Sequence, residues 1–449
     1  MASYTLTERQ VPLDEHWDVI VAGGGPAGCA AATAAAREGA KTLLIEAMGA
    51  LGGMGTLGLV PWFCGYDDGE KPIARGIADH VRTALREGMP HIRRNAPDWP
   101  AIDPELLKRI YDELVTGAGA GVLFHTQLCG VERAEDGGVD AVLAANKTGL
   151  RAYRAKVYVD CTGDGDLAAW AGAAFEKGDA QGELQPATHC FQIGNIDAYG
   201  LASGPRIHFF DPDSPVHQAV RSDEYPLIVD LHSCNTQIGP ELYGFNTGHV
   251  YDIDNTDPAS VSRGLMHGRR QAAQYMAVFR AHHPAFANAH LTATGALLGV
   301  RETRRILGDY LLTLDDYLAR RSFPDEICRN AYNIDVHAKR DPGEAPERSI
   351  EEIKAHLKEQ IKQLGPGESF GVPYRCLTPR GVRNLLVAGR CISTDRPTNG
   401  SVRIMACCLT TGEAAGAAAA LAAAQARDVH AVDTGDLRRR LREHGAYLP

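Results

Sequence analysis

Residues 18–46, DVIVAGGGPAGCAAATAAAREGAKTLLIE, restrict the fold of this chain more than any other stretch. Asp18 to Ala22 reads as a short apolar strand and Lys41 to Glu46 as a second. A glycine turn and an alanine-rich segment ending near Gly39 lie between them. That is one βαβ unit, and its crossover should be right-handed. In the turn, Gly23, Gly25 and Gly28 fit the GxGxxG pattern, with Pro26 and Ala27 before the last glycine. Gly23 permits the tight turn, Gly25 lets backbone approach a pyrophosphate, and Gly28 lets helix and strand pack closely. The helix start then presents free N–H groups and a partial positive charge to phosphate. Glu46, closing the second strand, is placed to accept hydrogen bonds from a ribose 2′-hydroxyl and to repel a 2′-phosphate, which argues against NADP. A bare glycine motif is weak. With strand, helix and Glu46 in place it reads as a dinucleotide site. A merely tight βα turn would leave Glu46 and the glycines beyond it unexplained.

Gly117-Ala118-Gly119-Ala120-Gly121 resembles a second such site and is not one. It follows a helical run at 103–116, with Asp103 as N-cap and Pro104 in the first turn, and precedes a strand. Phosphate binding needs the reverse order, so these glycines end a helix. No other GxGxxG occurs, and a second Rossmann domain for NAD(P)H is missing.

Strand-like segments follow at 121–128, 139–146 and 151–160. From about 175 to 375 loops lengthen and His and Tyr become frequent; Arg383 to Gly389 then returns to a strand and an alanine-rich helix follows. The reading is an α/β protein: a Rossmann-like domain from 1–172 and 376–449, parallel sheet with helices, interrupted by an α+β substrate or cap domain at 173–375. The stretch 336–349 reads as an exposed loop. The net charge of −10 disfavours nucleic acid and anionic membrane, which need clustered Lys and Arg. No run approaches the roughly 20 apolar residues of a membrane span, and Ala414 to Ala424 reads as a packed helix. Eleven scattered cysteines without a CxxC pair suit a reducing compartment, so the cytoplasm is expected.

Six residues past Glu46 begins Gly52-Gly53-Met54-Gly55-Thr56-Leu57-Gly58, a run that lets a long cofactor lie flat against backbone, as a flavin and its ribityl chain require. Val157 to Asp166 is a strand running into Thr162-Gly163-Asp164, and Leu385 to Arg390 is another stopping at Gly389. Gly400-Ser401-Val402-Arg403 is read as opening the alanine-rich helix. These four sites resemble those of FAD-dependent oxidoreductases related to the fumarate reductase flavoproteins and the glutathione-reductase-type fold. The chain also resembles a bacterial branch called the FAD-dependent oxidoreductase family. That likeness rests on GVRETRRILGDY at 299–310, VPYRCL at 372–377 and GRCIS at 389–393, with QPAT at 185–188 and FNT at 245–247 as weaker matches. It extends from about residue 16 to 425 and implies a fold and a cofactor, FAD, but no substrate.

Carried over residue by residue, the resemblance implies Gly23, Gly25 and Gly28 at the pyrophosphate and Glu46 at the adenosine ribose. Gly52, Gly53 and Met54 would line the flavin, Leu128 would offer backbone to adenine, and Gly163 and Asp164 would lie near the dinucleotide. Gly389 and Arg390 would lie near the ribityl chain, and the helix start at Ser401–Arg403 would face the flavin ring. Relatives often carry Gly-Asp where this chain has Gly389-Arg390, so that contact is read as backbone only. Covalent relatives carry a histidine before the Gly-Gly; Ala50 and Leu51 stand here, so the FAD is expected to be non-covalent.

Three residues are candidates for chemistry. Arg301, with Arg304 and Arg305 on one side of a helix if the segment is helical, could clamp a carboxylate bidentately; the alternative is ion pairing within the fold. Arg403 sits where positive charge could stabilise reduced flavin, or pair with a carboxylate. His189 could take a hydroxyl proton during hydride transfer, although a lone histidine on a strand is more often core. His249 and His337 are weaker versions of the same idea. Cys64 lacks a partner for dithiol chemistry, Cys407-Cys408 reads as packing, and no histidines have metal-ligand spacing, so no metal is expected. The first function reading is an oxidase or dehydrogenase that takes hydride from a small polar, hydroxylated or carboxylated molecule and passes electrons to oxygen or a partner protein. The second is a reductase or monooxygenase fed by NAD(P)H or a partner, and the third a flavin-bearing scaffold of the tRNA-modifying kind. Oligomeric state is left open.

Overall fold

In the computed structural model, which describes residue 8 and residues 10–92, 98–337 and 363–449, the apolar run at 19–22 is the buried centre of β1 (Leu13–Ala22). Gly23, at φ +91°, turns the chain into α1 (Pro26–Arg37), which Pro26 opens where no backbone donor is needed. β2 (Thr42–Ile45) returns parallel to β1. The sheet runs in the order β3 (Gly121–Leu123), β2, β1, β6 (Gly149–Asp160), β5 (Val139–Asn146), β4 (Gln127–Arg133). β5 and β15 (Leu385–Val387) share the remaining edge of β6, β5 antiparallel along 149–153 and β15 parallel along 158–160. The run at 121–128 is thus split between a parallel strand and the start of an antiparallel meander, at a bend where His125 takes φ +49°.

One register decides where a ligand can go. Ala22 lies opposite both Ile45 and Asp160, and Val387 lies opposite Asp160. Four parallel strands therefore end in one row, and the chain leaves it toward Gly23–Gly28, Gly52–Gly58, Gly163 and Gly389. In open parallel sheets the crevice beyond the carboxyl ends is where ligands bind.

α2 (Pro104–Gly117) carries the expected cap, with Asp103 accepting from the N–H groups of Glu105 and Leu106. The long α5 (Met405–Gln425) packs across α1, and both are alanine-rich for a steric reason. A Cβ on Gly412 would stand 2.2 Å from the Ala27 carbonyl oxygen, and one on Gly416 would stand 2.0 Å from that of Ala31. By length and composition α5 is the one described helix able to cross a membrane, but its most apolar window is 94% buried inside the protein. It is a core helix.

The inserted region has its own antiparallel sheet, ordered β11 (His290–Thr294), β8 (Phe191–Gly194), β10 (Leu242–Thr247), β9 (Ser233–Gly239). α3 (Pro258–His282) backs it, and Phe191, Phe245, Tyr275, Phe279 and Phe286 fill the space between. Two smaller pairs complete the fold: β7 (Phe175–Lys177) with β12 (Arg304–Ile306), and β13 (Glu326–Asn330) with β14 (Phe370–Pro373). Ile306, Leu312, Tyr317, Phe323, Ile327, Phe370, Val372 and Tyr374 pack into the core of the first domain, while the second core draws on residues 191–289. Most of the expected loop at 336–349 lies outside the described residues.

Two local expectations are corrected. Arg301, Arg304 and Arg305 do not share a helical face: Arg304 and Arg305 lie on β12, on alternating sides, and Arg301 precedes the strand. Gly400 to Arg403 does not open the alanine-rich helix. It closes α4 (Arg396–Val402), with Arg403 as C-cap, and α5 starts afresh at Met405 after extended Ile404.

Candidate functional site

The glycines of the first turn divide by job. A Cβ on Gly28 would come within 1.8 Å of the Gly23 carbonyl oxygen and one on Gly23 within 2.6 Å of the Cys161 carbonyl oxygen, so those two let backbone touch backbone. A Cβ on Gly25 would meet nothing within 4 Å. Gly25, beside Pro26 and Ala27 at the start of α1, therefore faces open space, as a phosphate cradle must. The second glycine segment completes this wall. Gly52, at φ +100°, donates to the Gly24 carbonyl at 2.8 Å; Gly53 abuts Gly25; and Met54 follows in a 3-10 turn. These residues fit a long dinucleotide.

Glu46 does more than wait for a ribose. Its two carboxylate oxygens accept from the N–H of Gly24 at 2.6 Å and of Met48 at 2.7 Å. Lone pairs remain for a ribose hydroxyl. The carboxylate therefore also ties the first glycine turn to the chain leaving β2. Glu46→Ala is expected to weaken FAD binding by about ten- to a hundred-fold, since a charge-assisted hydrogen bond contributes roughly 1.5–3 kcal/mol. Equilibrium titration of apoprotein with FAD checks this, and unchanged affinity would remove Glu46 from the ribose site. Leu128, buried at the start of β4, lies two residues beyond Thr126, whose N–H donates to the Glu46 carbonyl.

The third and fourth segments are built around buried polar groups. Asp160, at the end of β6, accepts from Thr162 N–H and hydroxyl and from Ala168 N–H, shaping the turn at 161–166. Burial still pushes its carboxyl up to about 6. Beyond Gly163, Asp164 accepts from the Arg390 guanidinium at 2.7 Å, the Thr303 hydroxyl at 2.7 Å and the Asn255 amide at 2.5 Å. Asp164 and Arg390, assigned by resemblance to the dinucleotide and ribityl chain, thus spend their charges on each other and on two residues of the inserted region. Gly389 keeps a backbone position against Ala27 in α1, and its N–H donates to Thr411. Ser401 and Val402 are buried; the Ser401 hydroxyl donates to the Tyr332 carbonyl and accepts from Asn330. Since α4 ends there, the free N–H groups and positive pole beside this segment belong to the first turn of α5.

The remaining candidates separate sharply. His189 is buried against Gly268 of α3, with Nε2 at 2.7 Å from the Gly295 carbonyl and Nδ1 unpartnered. Burial lowers its pKa. It packs between elements of the inserted region, with the Gly295 carbonyl at Nε2. Arg304 pairs with Asp166, and Arg305 with Glu302 and Glu176, both architectural. Arg301 differs. It is 6% exposed and, among the described residues, its guanidinium donates to neutral groups, the Pro186 carbonyl at 2.7 Å and the Thr188 hydroxyl at 3.0 Å. Burial brings its pKa down to about 10, and the Arg403 charge acts in the same direction, so it remains a cation at neutral pH. Arg403 donates to the carbonyl and carboxylate of Asp335 at 2.8 and 3.1 Å.

Around these guanidiniums stands a group that reading by segment missed. His249 Nε2 lies 2.9 Å from His337 Nδ1, and the His232 ring stacks on His249 with centroids 4.4 Å apart. Asp230 stands 3.3 Å behind His249 Nδ1 and Asp335 stands 3.1 Å behind His337 Nε2. Burial pushes His337 down to about 3, helped by Arg301, and pushes His232 well below its ordinary range. For Asp335 burial acts upward, but His337, Arg403 and Arg301 more than offset it and hold the carboxylate below the usual range. The 335–337 segment crosses the α4–α5 junction, with the Asp335 carbonyl against Gly400 and the His337 N–H donating to Gln185. Only the alternation Asp230-Leu231-His232 hinted at this in the sequence, by placing two polar groups on one side of an extended chain. All eleven cysteines are free, and burial pushes the Cys64 thiol up to about 12.

A glycine-lined crevice beyond a row of parallel strand ends, on a Rossmann-like sheet that carries additional antiparallel sheets, is the arrangement of a dinucleotide-binding α/β protein. The chain belongs to the FAD dependent oxidoreductase family, whose model matches residues 18–441. It is an FAD-dependent oxidoreductase, and its cofactor is FAD. A shorter likeness runs to glutathione reductase of Schizosaccharomyces pombe (strain 972 / ATCC 24843), 40% identical over 95 residues, covering 20% of this chain and 18% of the relative. Among solved structures, a geranylgeranyl bacteriochlorophyll reductase-like protein from Thermoplasma acidophilum is similar, with 14% identity and a TM-score of 0.48 over 96% of this chain and 83% of that one. A p-nitrophenol 4-monooxygenase from Pseudomonas putida DLL-E4 has 11% identity and a TM-score of 0.46, over 97% and 87%.

Proposed function

We propose that this FAD-dependent oxidoreductase takes hydride from a small polar substrate bearing hydroxyl or carboxylate groups, and passes the electrons to oxygen or a partner protein. Bound FAD supplies the two-electron acceptor. The observation that carries the reading is Arg301, a buried guanidinium of the inserted region held by the Pro186 carbonyl and the Thr188 hydroxyl, with the charges of Arg403 and Asp335 acting on it. Arg301 lacks an anionic hydrogen-bond partner among its described contacts, and a buried guanidinium in that condition is a ready receptor for a carboxylate or a strongly polar group. The chain's task is to bind that group, orient the substrate and exclude water.

The test is anaerobic mixing of the purified flavoprotein with hydroxy acids, sugar acids, polyols, NADH and NADPH, read as bleaching of flavin absorbance. Bleaching by a hydroxylated or carboxylated compound is expected, with the nicotinamides inert. Bleaching by NADH or NADPH alone would replace this reading with a reductase or monooxygenase.

A further inference from the structure

The facing nitrogens of His249 and His337 pose a problem of proton count. Asp230 stands behind one ring and Asp335 behind the other, each facing the nitrogen that points away from the ring pair. A neutral imidazole carries one proton, and a neighbouring carboxylate holds that proton on the nitrogen facing it. With both protons turned outward, His249 Nε2 and His337 Nδ1 aim lone pairs at each other across 2.9 Å. A cation between or beside them satisfies both lone pairs, and His249 Nδ1, 3.3 Å from Asp230, makes no hydrogen bond that would fix its proton elsewhere.

A third ring stands ready. One nitrogen from each of His232, His249 and His337 lies within 4.8 Å of the others. His232 Nδ1 is buried without a hydrogen-bond partner. We propose that His232, His249 and His337 bind a divalent first-row transition metal ion, zinc or iron(II) in class, through three imidazole nitrogens. This goes beyond the reaction proposed above and does not depend on it.

Chemistry and charge both fit. Imidazole suits zinc and iron, and nitrogens bonded at about 2.0–2.1 Å in a tetrahedral site lie roughly 3.3 Å apart. The His249–His337 pair is close to that separation, and the His232 ring, now stacked on His249, joins it by turning its nitrogen toward the pair. Carboxylates behind ligating histidines are the usual outer shell of such sites, setting the tautomer and raising ligand basicity. Asp230 is anchored for the task, accepting from His232 N–H at 2.9 Å, His249 N–H at 3.3 Å and the Tyr251 hydroxyl at 3.2 Å. Asp230 and Asp335 also bring two negative charges that offset Arg301 and Arg403. Three protein ligands leave an open position, where water or a substrate oxygen can bind.

No run of sequence announces the site, because β9 begins just after His232, β10 ends just before His249, and His337 comes from a separate segment. The absence of metal-ligand spacing in the sequence therefore does not bear on it.

The experiment is isothermal titration of the FAD-loaded full chain with zinc chloride after dialysis against a chelator, with metal content before dialysis read by plasma mass spectrometry. One zinc per chain is expected, with affinity lowered by about a hundred-fold or more in His249→Ala and in His232→Ala. Asp230→Asn keeps all three ligands and is expected to weaken binding by about 10–100-fold. His282→Ala, at the end of α3 and outside the cluster, should bind like the unaltered protein. FAD content and melting temperature identify any variant that fails to fold, and Asp230→Asn then carries the test. Absence of a stoichiometric zinc site, or a site that survives both His249→Ala and Asp230→Asn, overturns the proposal; the former would mean that the two rings share a proton.

Discussion

Arg301→Ala is expected to slow substrate-driven flavin reduction by about a hundred- to a thousand-fold, the range seen when a preorganised donor in a dry site is removed. The guanidinium is buried, positively charged at neutral pH, and satisfied through two of its donors by a carbonyl and a hydroxyl. Neither partner cancels its charge. Arg301→Lys keeps the cation but loses the planar fork, and an ammonium cannot reach Pro186 and Thr188 while also holding a substrate group side by side. Lysine should therefore recover little of the rate. A purely architectural Arg301 predicts something else: a lower Tm, a comparable loss in Arg305→Ala, and a normal reduction rate in the protein that stays folded. Stopped-flow flavin bleaching with Tm for each variant separates the two. An Arg301→Ala protein that melts early yet reduces its flavin at the original rate would rule out the clamp.

Gly416→Leu is expected to cost more than about 3 kcal/mol and to release FAD. Overpacking a well-filled contact usually costs about 1–3 kcal/mol, and more where backbone rather than side chain must move. Here the obstacle is backbone: the first added carbon alone would stand 2.0 Å from the Ala31 carbonyl oxygen. α5 must then lift from α1, and α1 opens with the glycine turn meant for the pyrophosphate, so binding falls together with stability. Even Gly416→Ala should destabilise, although alanine gains about 1 kcal/mol of helix propensity over glycine. Gly117→Ala provides the contrast, since a Cβ there meets nothing within 4 Å and only the propensity gain remains. Thermal melts and the ratio of flavin to protein absorbance read both effects. A Gly416→Leu protein that stays yellow with an unchanged Tm would show that the helices tolerate separation.

The βαβ unit was legible from residues 18–46 alone because strand, turn and helix are specified within one short window and obey local steric rules. The Asp103 cap and the helix after it were legible for the same reason. The arginine triplet was not. Spacing of three and four suits a helix, but pairing of Arg304 to Ile306 with Phe175 to Lys177 recruits the segment into a strand, so tertiary pairing outweighs a short periodic signal. The start of α5 was misplaced because the break at Ile404 carries no glycine or proline. The Asp395 cap of α4 and the contacts of Ser401 with Asn330 and Tyr332 are what set the boundary.

Sequence by itself determined the Rossmann half, since strand, turn and helix depend on backbone sterics within a few residues, and its resemblance to a flavoprotein family supplied FAD as the kind of cofactor; the register that lines up the glycine segments came from strand pairing. Tertiary structure alone decided what each charged side chain faces. Asp164 and Arg390 neutralise each other, His189 disappears into packing, and His232, His249, His337, Asp335 and Arg301 gather from distant segments into one buried group. The physical reason is that a charge or a lone pair acts through space over a few ångströms, and only the folded chain brings residues so far apart in sequence within that distance.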